Sequence, residues 1–123
     1  MQLFLRSYFE LTRFEFFLQR GRFAALREHV RRVPIRELAS SQGEVDRICR
    51  AMDHACIWYW HEVLCLQRSA ATTCLLKKYG VRAELIIGAQ QVPFRSHAWV
   101  EIDGNVVNDK PYVAEVFPIL DRC

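Results

Sequence analysis

The hydrophobic period changes once along this chain, at Gly80, and that change limits the fold more than any other feature of the sequence. Before Gly80, apolar residues return every three or four positions, as on one face of a helix. After it they alternate, as on a strand with one covered face. Helices first and hairpin-linked strands after is an α+β order: N-terminal helices, then a helix bearing Cys65, packed on a small antiparallel sheet.

Within the first 40 residues, Phe4, Tyr8, Leu11, Phe14, Phe17 and Leu18 recur at helical spacing. Gly21 interrupts them, and a second helical piece, RFAALREHVRR, must stop before Val33-Pro34, because the residue ahead of a proline is pushed out of the α region. PIRELASS follows as an expected further short turn of helix. Ser41 and Glu44 have the spacing of a capping box, and the helix they begin carries Val45, Ile48, Cys49, Met52, Cys56, Tyr59 and Val63 on one face. A helix from about Cys65 to Tyr79 is then closed by Gly80 as its left-handed cap, with Lys77 and Lys78 at the negative end of its dipole. VRAELIIG, SHAWVEI and VVND read as three strands, with the turn at Asp103-Gly104-Asn105. The tail KPYVAEVFPILDRC reads as irregular.

Half the residues are hydrophobic (51%) and a quarter charged (25%), which excludes a disordered chain. The net charge of +3 is too small to imply nucleic acid. It is unevenly placed: Arg20, Arg22, Arg27, Arg31, Arg32 and Arg36 face only Glu28 in that span. Such a surface suits an acidic peptide, an acidic partner protein or phosphates, and equally a solvated helix face. The five cysteines are odd in number, no secretory signal precedes them and no apolar run is long enough to span a bilayer, so a cytoplasmic chain with reduced thiols is expected.

A thiol-based enzyme needs a thiolate, a histidine to share its proton and a polar group to orient that histidine. Cys65 lies at a helix start, where unpaired N–H groups and the dipole favour the anion, whereas Cys74 lies in mid-helix. On position Cys65 is the best nucleophile of the five. His97 begins a strand, and the hairpin after it decides whether Asp109 can meet it. A two-residue turn at Asp103-Gly104 pairs Ile102 with Asn105, sets Asp109 opposite Ala98 and turns it from the histidine. A three-residue loop with Gly104 as a left-handed bulge pairs Glu101 with Asn105 and brings His97 opposite Asp109, with Cβ atoms about 5 Å apart. The bulged loop is the expected register and the other stays open. Each residue also has a packing reading: Cys65 as a buried filler, His97 as a strand residue bonded to a carbonyl, Asp109 as a turn residue. Cys49, His54, Cys56, His61 and Cys65 crowd into one stretch, but without the tight pair of a zinc site, so no metal is expected.

The stretch from Cys65 to Asp109 resembles the leader peptidases of lasso-peptide biosynthesis, the B2 proteins. The residues that carry the resemblance are Cys65-Leu66-x-x-Ser69 opening a helix, Gly80-Val81, the glycine after Ile86-Ile87, Pro93-Phe94, His97-Ala-Trp-Val-Glu101, Asp103-Gly104 and Asn108-Asp109. This covers 45 of 123 residues. It implies a transglutaminase-like, papain-like core over 44–123 behind a helical part over 1–43, in one domain over 1–123. It also implies a Cys65–His97–Asp109 triad without cofactor or metal, and the leader of a precursor peptide as substrate. An 80-residue leader-recognition domain has no room beside this core, so the resemblance implies a separate leader-recognition protein (the B1 type, also called RRE) as partner, and a lasso cyclase downstream, with no nucleic acid and no membrane. The backbone N–H of Cys65 is the expected oxyanion donor, with Trp58, Trp60 or Gln67 as candidates for a second. Trp99 fits either a cleft wall or the core. Acyl transfer to an amine by the same triad, and a binding module without catalysis, are the alternatives.

Overall fold

Each break in the helical half of the chain falls where a particular residue forces it. The structure, a computed structural model, describes residues 2–37, 41–91 and 93–123. Helix α1 spans Gln2–Gln19 and α2 spans Phe23–Arg32. Between them Gly21 takes a φ of 63°, a left-handed conformation that costs glycine nothing. Val33, ahead of Pro34, is extended at ψ 119° and ends α2. The expected short helical turn over PIRELASS does not form in its described part: residues 34–37 are not helical, and 38–40 lie outside the described residues.

Helix α3, Gln42–Trp58, begins at Ser41, whose Oγ accepts the Glu44 N–H at 3.3 Å. Only half of the expected capping box forms, since the Glu44 carboxylate accepts from Arg47 at 3.1 Å. Val45, Ile48, Met52 and Ala55 form its buried face, and Cys49 and Cys56 pack half-buried beside them. The helix stops sooner than its periodicity suggests: Tyr59 is buried beyond its end and Val63 lies in a loop.

Helix α4, Cys65–Lys78, is buried on nearly every side from Gln67 to Lys77. Its interior hydroxyls bond back along the helix, Thr72 to the Arg68 carbonyl at 2.8 Å and Thr73 to that of Ser69 at 2.9 Å, so neither of the two is left bare in the core. Gly80, at φ 87°, closes it with a Schellman pair: its N–H reaches the Lys77 carbonyl at 3.1 Å, and that of Val81 reaches Leu76 at 2.9 Å. The two lysines do not serve their own helix end. Lys77 Nζ donates to the Val30 carbonyl of α2 at 2.8 Å, and Lys78 pairs with the buried Glu10 of α1.

Strands β1 (Ala83–Gln91), β2 (Phe94–Ile102), β3 (Asn105–Val106) and β4 (Ile119–Arg122) form one antiparallel sheet in the order β3-β2-β1-β4. The architecture is α+β. The reading of the tail as irregular is corrected: it contains a short helix, α5 (Val113–Val116), and β4, an edge strand bulged against β1 between Ile87 and Gly88. Four residues are too few to show a period, and here the pairing partner, not local pattern, makes the strand.

The sheet separates two apolar layers. Leu85, Ala98 and Val100 face the helices and join the main core with Leu11, Phe14, Ile48 and Leu76. Ile86 and Trp99 face the other way, under Val113 of α5 and Phe117. Trp99 is fully buried there, with its indole N–H on Glu101 at 2.9 Å. It is a core residue.

Gly88, opposite His97 across β1 and β2, allows this second layer to close. A Cβ at that position would lie 2.7 Å from the Phe117 carbonyl and 2.8 Å from the Trp99 ring. Gly88→Ala should therefore cost about 1–3 kcal/mol by overpacking. Gly43→Ala, with only Ser41 Oγ at 3.7 Å, should be neutral or stabilising. Urea denaturation of both variants checks this, and equal midpoints would contradict it.

Candidate active site

Cys65 is the first residue of α4, and its neighbour on the outside, Leu64, makes no side-chain cap. The first N–H to find a helical partner is that of Arg68, on the Leu64 carbonyl at 3.0 Å. The donors ahead of it therefore point past the helix end, beside an exposed thiol. The other four cysteines are in the opposite condition. Burial pushes the thiol of Cys49 up to about 11 and that of Cys74 up to about 12, and also raises Cys56 and Cys123.

His97 lies on β2, on the same face as Trp99, with ring centroids 6.1 Å apart. On its other side Phe117 packs at 5.2 Å. Its Nε2 is bonded to Asp109 Oδ2 at 2.5 Å, which leaves Nδ1 as the uncommitted ring nitrogen. Burial works to raise the Asp109 carboxyl, but the bonds from His97 and from the Lys110 backbone N–H outweigh it and hold the group below its ordinary range.

The expected route to this pair is corrected. Ile102 pairs with Asn105 and Glu101 with Val106, the two-residue register, with Asp103 and Gly104 at φ 51° and 80°. A continued ladder in that register would set Asp109 on the wrong face. The ladder does not continue. Val107 N–H still reaches the Val100 carbonyl at 3.0 Å, but the return bond goes to a side chain: Asn108 Oδ1 takes the Val100 N–H at 2.8 Å. The chain bends there, alternation no longer governs it, and Asp109 arrives at His97.

Cys65 and His97 line one cavity of about 160 Å³ with Phe23, Leu66, Ile87, Ser96 and Ala98. Among the described residues no hydrogen bond joins the thiol to the ring. A second cavity of about 250 Å³ opens beyond the histidine, between Asp109, Tyr112, Val116 and Phe117. A larger groove of about 320 Å³ beside Leu5, Phe9 and Leu75 lies away from all of these and holds neither thiol nor histidine.

The other singled-out residues are placed elsewhere. Gln67 is buried with Nε2 on the Leu11 carbonyl at 2.8 Å, so it is committed to the core. Trp58 and Trp60 are exposed, and Trp60 stacks on His61, whose Nδ1 meets Glu15 at 3.0 Å. His54 is exposed, apart from the half-buried Cys49 and Cys56, and among the described residues no three His, Cys, Asp or Glu side chains converge as metal ligands would. Within the arginine run Arg27 pairs with Asp121 and the exposed Arg31 and Arg32 pair with Glu28 along their own helix, while Arg20, Arg22 and Arg36 are exposed as well. No helix among the described residues is long and apolar enough to cross a membrane. Sequence reasoning missed Phe117, which sits in the tail without local pattern, and the structural part of Asn108, whose motif position alone hinted at it.

A thiol at an uncapped helix start and an imidazole bonded to a carboxylate line one cavity, and acyl transfer is the chemistry in which groups of these kinds act together. Comparison with known proteins agrees with that class. The chain is 38% identical over 56 residues to the microcin J25-processing protein McjB of Escherichia coli, a stretch that is 46% of this chain and 27% of that protein. The chain thus matches about a quarter of that relative's length. No solved structure gives a significant match. The profile of the transglutaminase-like superfamily matches residues 9–121, helices and sheet together, and the chain belongs to that superfamily.

Proposed function

We propose that this chain is a cysteine peptidase that removes the leader from a lasso-peptide precursor, with Cys65 as nucleophile, His97 as base and Asp109 as orienting acid. The observation that carries the reading is the 2.5 Å bond from Asp109 to His97, a residue that lines the same cavity as Cys65. The partial similarity to a microcin-processing protein supports the substrate class.

In this mechanism Nδ1 of His97 takes the thiol proton and Cys65 Sγ attacks the scissile carbonyl. The uncapped N–H groups at the start of α4, that of Cys65 among them, receive the oxyanion. The C–N bond breaks as His97 returns the proton to the leaving amine, the new N-terminus of the core peptide. Water, deprotonated by His97, then hydrolyses the thioester. A separate leader-recognition protein presents the substrate, docking on the exposed arginines of the helical part.

The test is mass analysis of a precursor peptide incubated with the reduced protein, with and without the leader-recognition protein. Two fragments whose masses add up to the precursor plus one water, formed faster with the partner, are expected. Cross-linked or amine-adduct products in their place would assign acyl transfer, and an intact precursor in both arms would end the reading.

A further inference from the structure

Each of the three groups above has a neighbour in one polar cluster, and the cluster lies between the elements that carry them. Ser69 lies one helical turn beyond Cys65 on α4 and is 1% exposed. Its hydroxyl donates to the carbonyl of Ala98, the residue after His97, at 3.0 Å. It accepts from Nδ2 of Asn108, the residue before Asp109, at 3.1 Å. Asn108 Oδ1 in turn takes the Val100 N–H at 2.8 Å. On the outer side Arg68 Nη2 bonds both Asp53 at 2.7 Å and the Asn108 carbonyl at 3.4 Å.

These bonds use the Ser69 hydroxyl as donor and as acceptor and replace a ladder bond with a side-chain one where the strand ends. A hydrogen-bonded network of this kind rigidifies the elements that it joins. From this geometry we propose that Ser69 and Asn108 are positioning residues, a clamp that sets Cys65 against the His97–Asp109 pair by tying α4, β2 and the bend after β3 together. They touch no reacting atom. The inference rests on the peptidase reading for its kinetic arm alone, since the distance the clamp sets is a property of the resting protein.

The test compares Asn108→Ala, Ser69→Ala and the double variant with wild type. Two readouts are used: kcat and KM on the precursor peptide, and the pH profile of Cys65 alkylation by iodoacetamide, which needs no substrate. Displacing a reacting group by about 1 Å costs about 100-fold in rate. Each single variant should therefore lose kcat on that order, keep KM within about twofold and lose the alkylation that an adjacent imidazole promotes on the acid side. The double variant should be no worse than the worse single, because the pair acts as a unit.

If Asn108→Ala fails to fold, Asn108→Asp retains the Oδ1 acceptor and replaces the donor to Ser69 with a charged acceptor, and it should show the same kinetic loss. Variants that match wild type in both readouts, or losses that multiply in the double variant, would overturn the clamp while leaving the peptidase reading intact. A wild-type protein that cleaves nothing, yet whose alkylation profile collapses in the variants, would remove the peptidase reading and keep the clamp.

Discussion

Cys65→Ala should abolish cleavage, lowering kcat by at least about 10⁴-fold, because loss of the nucleophile disables the unit it forms with its base. Cys74→Ala should leave kcat unchanged. The contrast follows from environment, since both residues belong to α4. Cys65 is exposed at an uncapped helix start, open to substrate and reagent. Cys74 is fully buried, and its thiol is pushed up to about 12. The same difference predicts which thiol reacts first. Under native conditions near pH 8, iodoacetamide should label Cys65 well before Cys49, Cys56, Cys74 or Cys123, all of which burial holds protonated. Mass mapping of the adduct and kinetics of the two variants check both statements. A Cys65→Ala protein cleaving within tenfold of wild type would remove the thiol from the chemistry.

Asp109→Asn should lower kcat by about 10²- to 10⁴-fold with the fold kept, since an amide can hold the ring in the wrong tautomer and cannot stabilise imidazolium. It also has a consequence for stability against pH. Burial alone would raise the Asp109 carboxyl, but the bonds from His97 and the Lys110 N–H win and its folded pKa lies below the ordinary 3.8. A depressed carboxyl contributes stability above its unfolded pKa and loses it as pH falls through the folded one. Wild type should thus exceed Asp109→Asn in denaturation midpoint at pH 6, and the gap should close as pH falls below the ordinary carboxylate range. A gap that is constant with pH, or that widens on acidification, would show that the carboxylate is not held as the 2.5 Å bond to His97 requires.

How legible the site was in the sequence depends on the range of the force that places each residue. A thiol at a helix start follows from local rules, because the cap and the dipole lie within one turn of Cys65. The glycine that ends the same helix is local too, and Gly80 is left-handed as its position suggests. The hairpin shows the limit. Asp103 and Gly104 both accept positive φ, so the chemistry of the turn admitted either register, and packing of β2 against its neighbours decided for the shorter one. That choice would have separated His97 from Asp109 had the ladder not ended at Val106. It ended because the Asn108 side chain replaced a backbone carbonyl, a substitution that no periodicity records.

By itself, then, the amino-acid order determined what short-range physics controls: helices up to Gly80, strands after it, the breaks at Gly21 and Pro34, and one cysteine at the mouth of a helix. Tertiary structure alone decided that the tail becomes an edge strand, that Trp99 is core, that Lys77 serves another helix and that Phe117 flanks the histidine. Each of these depends on a partner many residues away, and a contact that gains its energy only when distant segments are already packed leaves no periodic trace in either of them.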